Sequence, residues 1–118
     1  MKIITSKPPA LNNLYGTNKW GGKYLKSAGV AWKAELLWKM RLLKVEGWAE
    51  PVRLSVELYT CRHQDNDGVL KVLQDTLQEA GVYKDDYWIF ELIVKKHISK
   101  KAEERLEVEI QKITLAGD

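Results

Sequence analysis

Four stretches of this sequence predict an α/β domain, α+β in its mixture of elements, with a mixed sheet flanked by helices. "PVRLSVELY" alternates strictly, with Val52, Leu54, Val56 and Leu58 on one side and Arg53, Ser55 and Glu57 on the other. From Asp67 to Ala80 the period changes, and Val69, Leu73, Leu77 and Ala80 form a helical stripe that Gly81 ends. The chain then closes on two further strand-like runs, "WIFELIVKKHI" and "RLEVEIQKI". The element order reads β-α-β-α-β-β within a single domain, 1–118, long enough to bury a core without disulfides.

Each element has its own reason. A short strand covers Lys2 to Ser6 and is ended by Pro8 and Pro9. "ALNNLYGTNKWGGKY" reads as a long Asn- and Gly-rich loop, a feature that is often functional in a compact domain. In and beside it Lys19, Lys23 and Lys26 interleave with Tyr15, Trp20 and Tyr24, which suits phosphate contact with base or sugar stacking. The same composition would arise if the aromatic residues pinned the loop to the core and the lysines were merely solvated.

Ser27 is placed to cap a helix running to about Leu43. Its apolar residues form two stripes, one with Val30, Ala34 and Leu37 and the other with Trp32, Leu36, Met40 and Leu43, so its apolar face is wide enough for a subunit contact or for a wedge between sheet and loop. Between the last two strands the polar "SKKAEE" makes a hairpin the simplest connection.

Composition excludes several classes. With 45% hydrophobic and 30% charged residues the chain is neither disordered nor low-complexity. No apolar run approaches the roughly 20 residues that span a bilayer, and the N-terminus lacks a signal-peptide core, so neither a membrane nor secretion is expected. The single Cys61 forms no internal disulfide and reads as a small core residue in a cytoplasmic protein. A net charge of +3 is compatible with a polyanionic partner.

"DNDGVLK", at the strand-to-helix junction, carries the chemistry. A calcium loop fails because His63 and Gln74 would occupy its first and twelfth positions, where carboxylates are required. An N-cap reading explains Asp67, with Lys71 as an i,i+4 partner, but leaves Asp65 and the later Asp85 and Asp86 without a role. In a divalent-metal phosphodiesterase site, Asp65 and Asp67 project to one side of an extended segment and a third carboxylate comes from elsewhere. His63 fits a surface or DNA-contacting role better than a catalytic one, and His97 at a strand end reads as structural or solvent-facing. Lys95, Lys96, Lys100 and Lys101 suit either phosphate contact or a solvated turn.

The residues resemble the RusA-type Holliday junction resolvases, a family of endodeoxyribonucleases frequently encoded by phages and prophages. The family motif D-x-D-N-x-x-K, followed about a helix later by A-G-x-x-x-D-D, corresponds to "DNDGVLK" and "AGVYKDD", and "PPALNNLY" is similar to the family's N-terminal start. The resemblance implies a homodimeric mixed α/β nuclease of the cytoplasm of a bacterial or phage-infected cell. It would use Mg²⁺, for which Mn²⁺ can substitute, to resolve four-way DNA junctions by paired symmetric nicks during recombination and repair. By the same resemblance Asp65, Asp67 and Asp86 hold the metal and are catalytic, Lys71 is the catalytic lysine, and Asp85 is an accessory acid. The candidate DNA contacts are Lys19, Lys23, Lys26, Arg62, Lys95 and Lys96. Gly68 stands where the family usually has Asn and removes a polar side chain beside the metal. The alternative from another class is a non-catalytic branched-DNA-binding protein of the same fold.

Overall fold

The computed structural model describes residues 1–9, 15–43, 47–61 and 66–113, with the backbone alone for residues 66–68 and 86. The elements are β1 (Lys2–Thr5), β2 (Tyr15–Thr17), β3 (Lys23–Leu25), α1 (Ser27–Leu43), β4 (Val52–Thr60), α2 (Asn66–Glu79), β5 (Ile89–Ile98) and β6 (Arg105–Lys112). They form a single α/β domain with two helices against a mixed sheet, as the sequence predicts.

The sheet has the order β1-β6-β4-β5. β4 is its central strand, parallel to β5 and antiparallel to β6. Its alternation is fully used: Val52, Leu54, Val56 and Leu58 are buried, while Arg53, Ser55, Glu57 and Tyr59 lie half-buried on the other face. Both helices cover the first face. Trp32, Leu36 and Met40 of α1 and Val69, Val72, Leu73 and Leu77 of α2 join the inward residues of β4 and β6 in one core. Each fully buried Leu contributes about 2 kcal/mol of transfer free energy.

The hairpin expected between β5 and β6 does not form. β6 lies on the far side of β4, between β4 and β1. The connection passes the end of β4, where the Ser99 N–H donates to the Thr60 carbonyl at 3.0 Å. Strands are spaced about 4.8 Å, so a link of this length spans two spacings easily. In the interior position Leu106, Val108 and Ile110 are all buried, a gain that an edge position would not supply.

The long N-terminal loop also contains regular structure, because β2 and β3 pair as a small antiparallel ribbon. In its turn Asn18 Oδ1 accepts the N–H groups of Trp20 and Gly22, each at 2.9 Å, and Gly21 takes a φ of 80°. Tyr15 and Leu25 fasten the ribbon's base to the core.

Of the two apolar stripes of α1, Trp32, Leu36 and Met40 are buried while Leu43 is exposed, and in the other Val30 and Ala34 are exposed and Leu37 is half-buried; Trp38 and Leu42, outside both stripes, are also exposed, at 61% and 68%. The first intrahelical bond runs from the Val30 N–H to the Lys26 carbonyl, so Lys26 holds the cap position expected of Ser27. α1 is tied to β1 by Trp32 Nε1, which donates to the Ser6 carbonyl at 2.7 Å, and by Lys39 Nζ, which donates to the Ile4 carbonyl at 2.8 Å.

The sheet's other face is open and charged. Glu57 and Glu107 stand directly opposite each other on β4 and β6, a like-charge pairing that destabilises a sheet. Two cations relieve it, with Arg105 Nε 2.8 Å and Lys2 Nζ 3.5 Å from Glu107, and His97 Nε2 lies within hydrogen-bond distance of Glu57 at 3.2 Å. The Arg105 hydrogen bond holds the Glu107 carboxyl below the usual carboxylate range, against the opposing effect of desolvation. His97 also stacks on Tyr59 at 4.5 Å, so its role is structural, as its strand position suggests.

Candidate active site

α2 begins at Asn66, beyond the end of β4. Asp67 therefore lies in the first turn rather than at the cap, where the helix dipole favours a negative charge. Because Val69, Val72, Leu73, Thr76 and Leu77 are buried, the rotation of α2 is set by its apolar stripe. Lys71, one turn after Asp67 in the chain, lies on the opposite, exposed face. Lys71 is exposed, and its Nζ lies 5.4 Å from the centre of the Tyr15 ring at the base of the ribbon. Burial, with the nearby Asp75 charge and against Lys33, raises the Tyr15 hydroxyl above the ordinary tyrosine range. It therefore sits beside Lys71 as a neutral ring. Asp65, Arg62 and His63 lie outside the described residues.

The other acidic pair sits at the far end of α2. Gly81 has a φ of 81°, its N–H donates to Gln78 at 3.0 Å, and the Val82 N–H donates to Leu77 at 3.1 Å, which together make a Schellman stop. The chain is then held by a parallel bridge between Trp48 and Tyr83 before a short 3-10 turn, Asp86–Trp88. Asp85 caps that turn, with Oδ1 accepting the Tyr87 N–H at 3.3 Å. The residue expected as an accessory acid is thus engaged in a turn.

Asp86 precedes β5, whose first residue, Ile89, pairs with Val52 at the start of β4. α2 starts beyond Thr60 at the other end of β4, about 27 Å away at the rise of an extended strand. One chain therefore carries Asp67 and Lys71 on the same helix and leaves the backbone of Asp86 at the opposite end of the sheet. Among the described residues no group of three or more His, Cys, Asp or Glu is placed to hold a metal ion.

Of the basic candidates, Lys19 and Lys23 are exposed on the ribbon, and Lys26 sits where the ribbon joins α1. At the ribbon's tip Trp20 is 83% exposed, with Lys19 Nζ 5.1 Å from its ring centre. Lys95 and Lys96 are exposed on β5, pointing to opposite faces of the sheet.

One group at the site's approach left no mark in the sequence. Glu104, in the polar link before β6, accepts hydrogen bonds from Lys7 Nζ at 2.8 Å, the Cys61 N–H at 2.9 Å and Thr60 Oγ1 at 3.2 Å. It clamps the last turn of chain before the acidic motif. Cys61, expected in the core, is half-buried there. Nothing distinguishes Glu104 from its solvated neighbours in "SKKAEE"; only the crossing of that link over β4 gives it a role. The Lys7 hydrogen bond, helped by the Cys61 N–H, holds its carboxyl at about 2, below the ordinary glutamate value of 4.5. Ionised Glu104 thus stabilises the fold fully above about 4.5, and this is lost as pH falls through about 2. Glu104→Gln is expected to lower the melting temperature at neutral pH, with the gap to wild type closing as the pH is taken down through that window. A gap independent of pH would contradict the assignment.

Comparison with known proteins places the chain in a family. The family described as "Endodeoxyribonuclease RusA" matches residues 6–111. The chain is also 35% identical over 105 residues to a crossover junction endodeoxyribonuclease RusA of Aquifex aeolicus (strain VF5), covering 85% of this chain and 82% of that one. A match from Ser6 to Gln111 takes in β2 to β5 and nearly all of β6, including the start of α2 and the turn at Asp86, and the chain belongs to the RusA endodeoxyribonuclease family.

Proposed function

We propose that the protein is a divalent-metal-dependent endonuclease that resolves four-way DNA junctions by paired symmetric nicks, acting as a homodimer in DNA recombination and repair. The observation that carries the reading is the start of α2: Asp67 in the first turn, Lys71 one turn on, and the lysine-bearing ribbon packed beside them. A non-catalytic branched-DNA binder is not favoured, since the family and the Aquifex relative are both named for the endonuclease activity. Its DNA substrate implies work in the cytoplasm of a bacterial or phage-infected cell. No helix among the described residues is long and apolar enough to cross a membrane.

Asp65, Asp67 and Asp86 would hold the cation. Three carboxylates are hard oxygen donors, the chemistry that Mg²⁺ or Mn²⁺ takes, so the residues fit the group. When bound, the ion neutralises phosphate charge and makes water a competent nucleophile. Lys71 offers its ammonium to the charge that develops at the scissile phosphate. Lys19, Lys23, Lys26 and Arg62 hold the backbone, and Trp20 gives unpaired bases near the crossover a stacking surface. Because Asp86 stands a strand's length from α2 in its own chain, the reading requires Asp86 of the partner subunit to complete each site. A two-fold dimer then holds two sites, one for each nick.

The test is cleavage of a synthetic four-way junction and of a linear duplex of the same sequence, with Mg²⁺ and with EDTA. Paired nicks close to the crossover, seen with Mg²⁺, absent in EDTA and weak on the linear duplex, are expected. A junction bound but uncut under every divalent cation would leave a binding protein. Equal cutting of both substrates would remove junction selectivity.

A further inference from the structure

The antiparallel ladder between β4 and β6 ends at the pair Tyr59 and Arg105. Continuing that register brings Thr60 level with Glu104, and there the two segments part, Cys61 leading to the acidic motif and Glu104 belonging to the crossing link. The Cys61 N–H lies beyond the ladder, and Glu104 Oε2 accepts it at 2.9 Å. The same oxygen accepts Thr60 Oγ1 at 3.2 Å and Lys7 Nζ at 2.8 Å. A side chain thus adds one more rung to the sheet, and its charge strengthens the hydrogen bonds that make it.

Glu104 is itself held from both sides. Before it, the Glu103 N–H donates to the Lys100 carbonyl at 2.9 Å in a 3-10 turn. After it, the Arg105 guanidinium lies 3.7 Å from the centre of the Tyr59 ring, and Leu106 is fully buried. The far end of the acidic segment is seated as well, because α2 starts at Asn66 and buries Val69, Val72 and Leu73. Residues 62–65 alone separate the two anchors, and Asp65 is the last of them. A four-residue segment with both ends fixed has few conformations, and releasing one end multiplies them.

We propose that Glu104 is a positioning residue of the metal site: by holding the Cys61 N–H and Thr60 it sets the path of the chain into Asp65, and through that path the affinity for the cation. The inference rests on the nuclease reading above. Residues that orient metal ligands without touching the metal commonly govern 10- to 100-fold of its affinity, about the scale expected here. Lys7 differs from Glu104 in what it can do. It supplies the opposing charge, but an ammonium has only donors and cannot take the Cys61 N–H. Loss of Lys7 therefore costs stability and leaves the rung that leads to Asp65 in place.

The experiment is Mn²⁺ binding to the full chain, followed by loss of the free ion's paramagnetic resonance signal, for wild type, Glu104→Ala, Glu104→Gln and Lys7→Met. Asp67→Asn marks the binding that belongs to the acidic site, and thermal melts are run alongside. Glu104→Ala should raise the Kd about tenfold or more. Glu104→Gln, whose amide oxygen still accepts the Cys61 N–H, should stay within about threefold of wild type. Lys7→Met should lower the melting temperature and leave the Kd unchanged. If Glu104→Ala does not fold, Glu104→Asp, one methylene short of Cys61, takes its place with the same expected loss. Wild-type affinity in that variant, a Kd that follows the melting temperature across all the variants, or a wild type without an Asp67-dependent Mn²⁺ site would each overturn the inference. Junction cleavage by the same proteins separates the two claims. A metal site that weakens with Glu104→Ala but never cuts removes the nuclease reading alone, whereas cleavage with the same Mg²⁺ dependence in wild type and Glu104→Ala removes the role of Glu104 alone.

Discussion

Asp67→Asn should lower Mg²⁺-dependent cleavage of a four-way junction by about 10³-fold while leaving junction binding as tight as in wild type or tighter. The substitution keeps the shape of the side chain and removes its charge. The fold should tolerate it, because Asp67 lies in the first turn of α2, where a carboxylate's interaction with the helix dipole is worth only about 0.3–1 kcal/mol. In the proposed reading the lysines of the ribbon carry binding, and one fewer negative charge beside the phosphates would help them. Cleavage has no substitute, since an amide oxygen neither neutralises the cation nor matches a carboxylate as its ligand. Single-turnover cleavage and mobility-shift titration on the same preparation check it. Asp75→Asn, an exposed carboxylate two turns further along α2, is the charge-matched control. Cleavage within tenfold of wild type would remove Asp67 from the metal site.

What the sequence disclosed follows the strength of its periodicities. β4 was plain because an interior strand with one covered face must alternate, and α2 because its stripe ends at a glycine in a left-handed turn. The acidic motif and Lys71 were readable as letters, and the start of α2 puts Asp67 in the first turn with Lys71 one turn on. The β2–β3 ribbon was hidden because three-residue strands containing Gly16 carry no period. The order of β5 and β6 was misread because neighbours in sequence need not be neighbours in a sheet, and burying Leu106, Val108 and Ile110 between two strands outweighs the shorter connection. The two stripes of α1 looked alike as letters, yet packing buried only Trp32, Leu36 and Met40 of one of them and left Leu43 at its end exposed. Asp86 is the most instructive position. Its motif spacing reads as one site with Asp67, but the parallel register of β4 and β5 sets them a strand apart. A spacing in sequence specifies a site only once the subunit supplying each residue is known.

That division of the site between chains is the central claim, and a mixed dimer tests it most directly. Asp67→Asn and Asp86→Asn chains, carrying different tags and purified together as the heterodimer, are compared with the two mutant homodimers on the same junction. If Asp86 serves the partner's α2, the heterodimer has one site with both substitutions and one with neither. It should then nick one strand of the junction with Mg²⁺ while both homodimers stay inactive. A heterodimer as inactive as its parents would contradict the shared site and mean that each chain builds its own from its own Asp67 and Asp86.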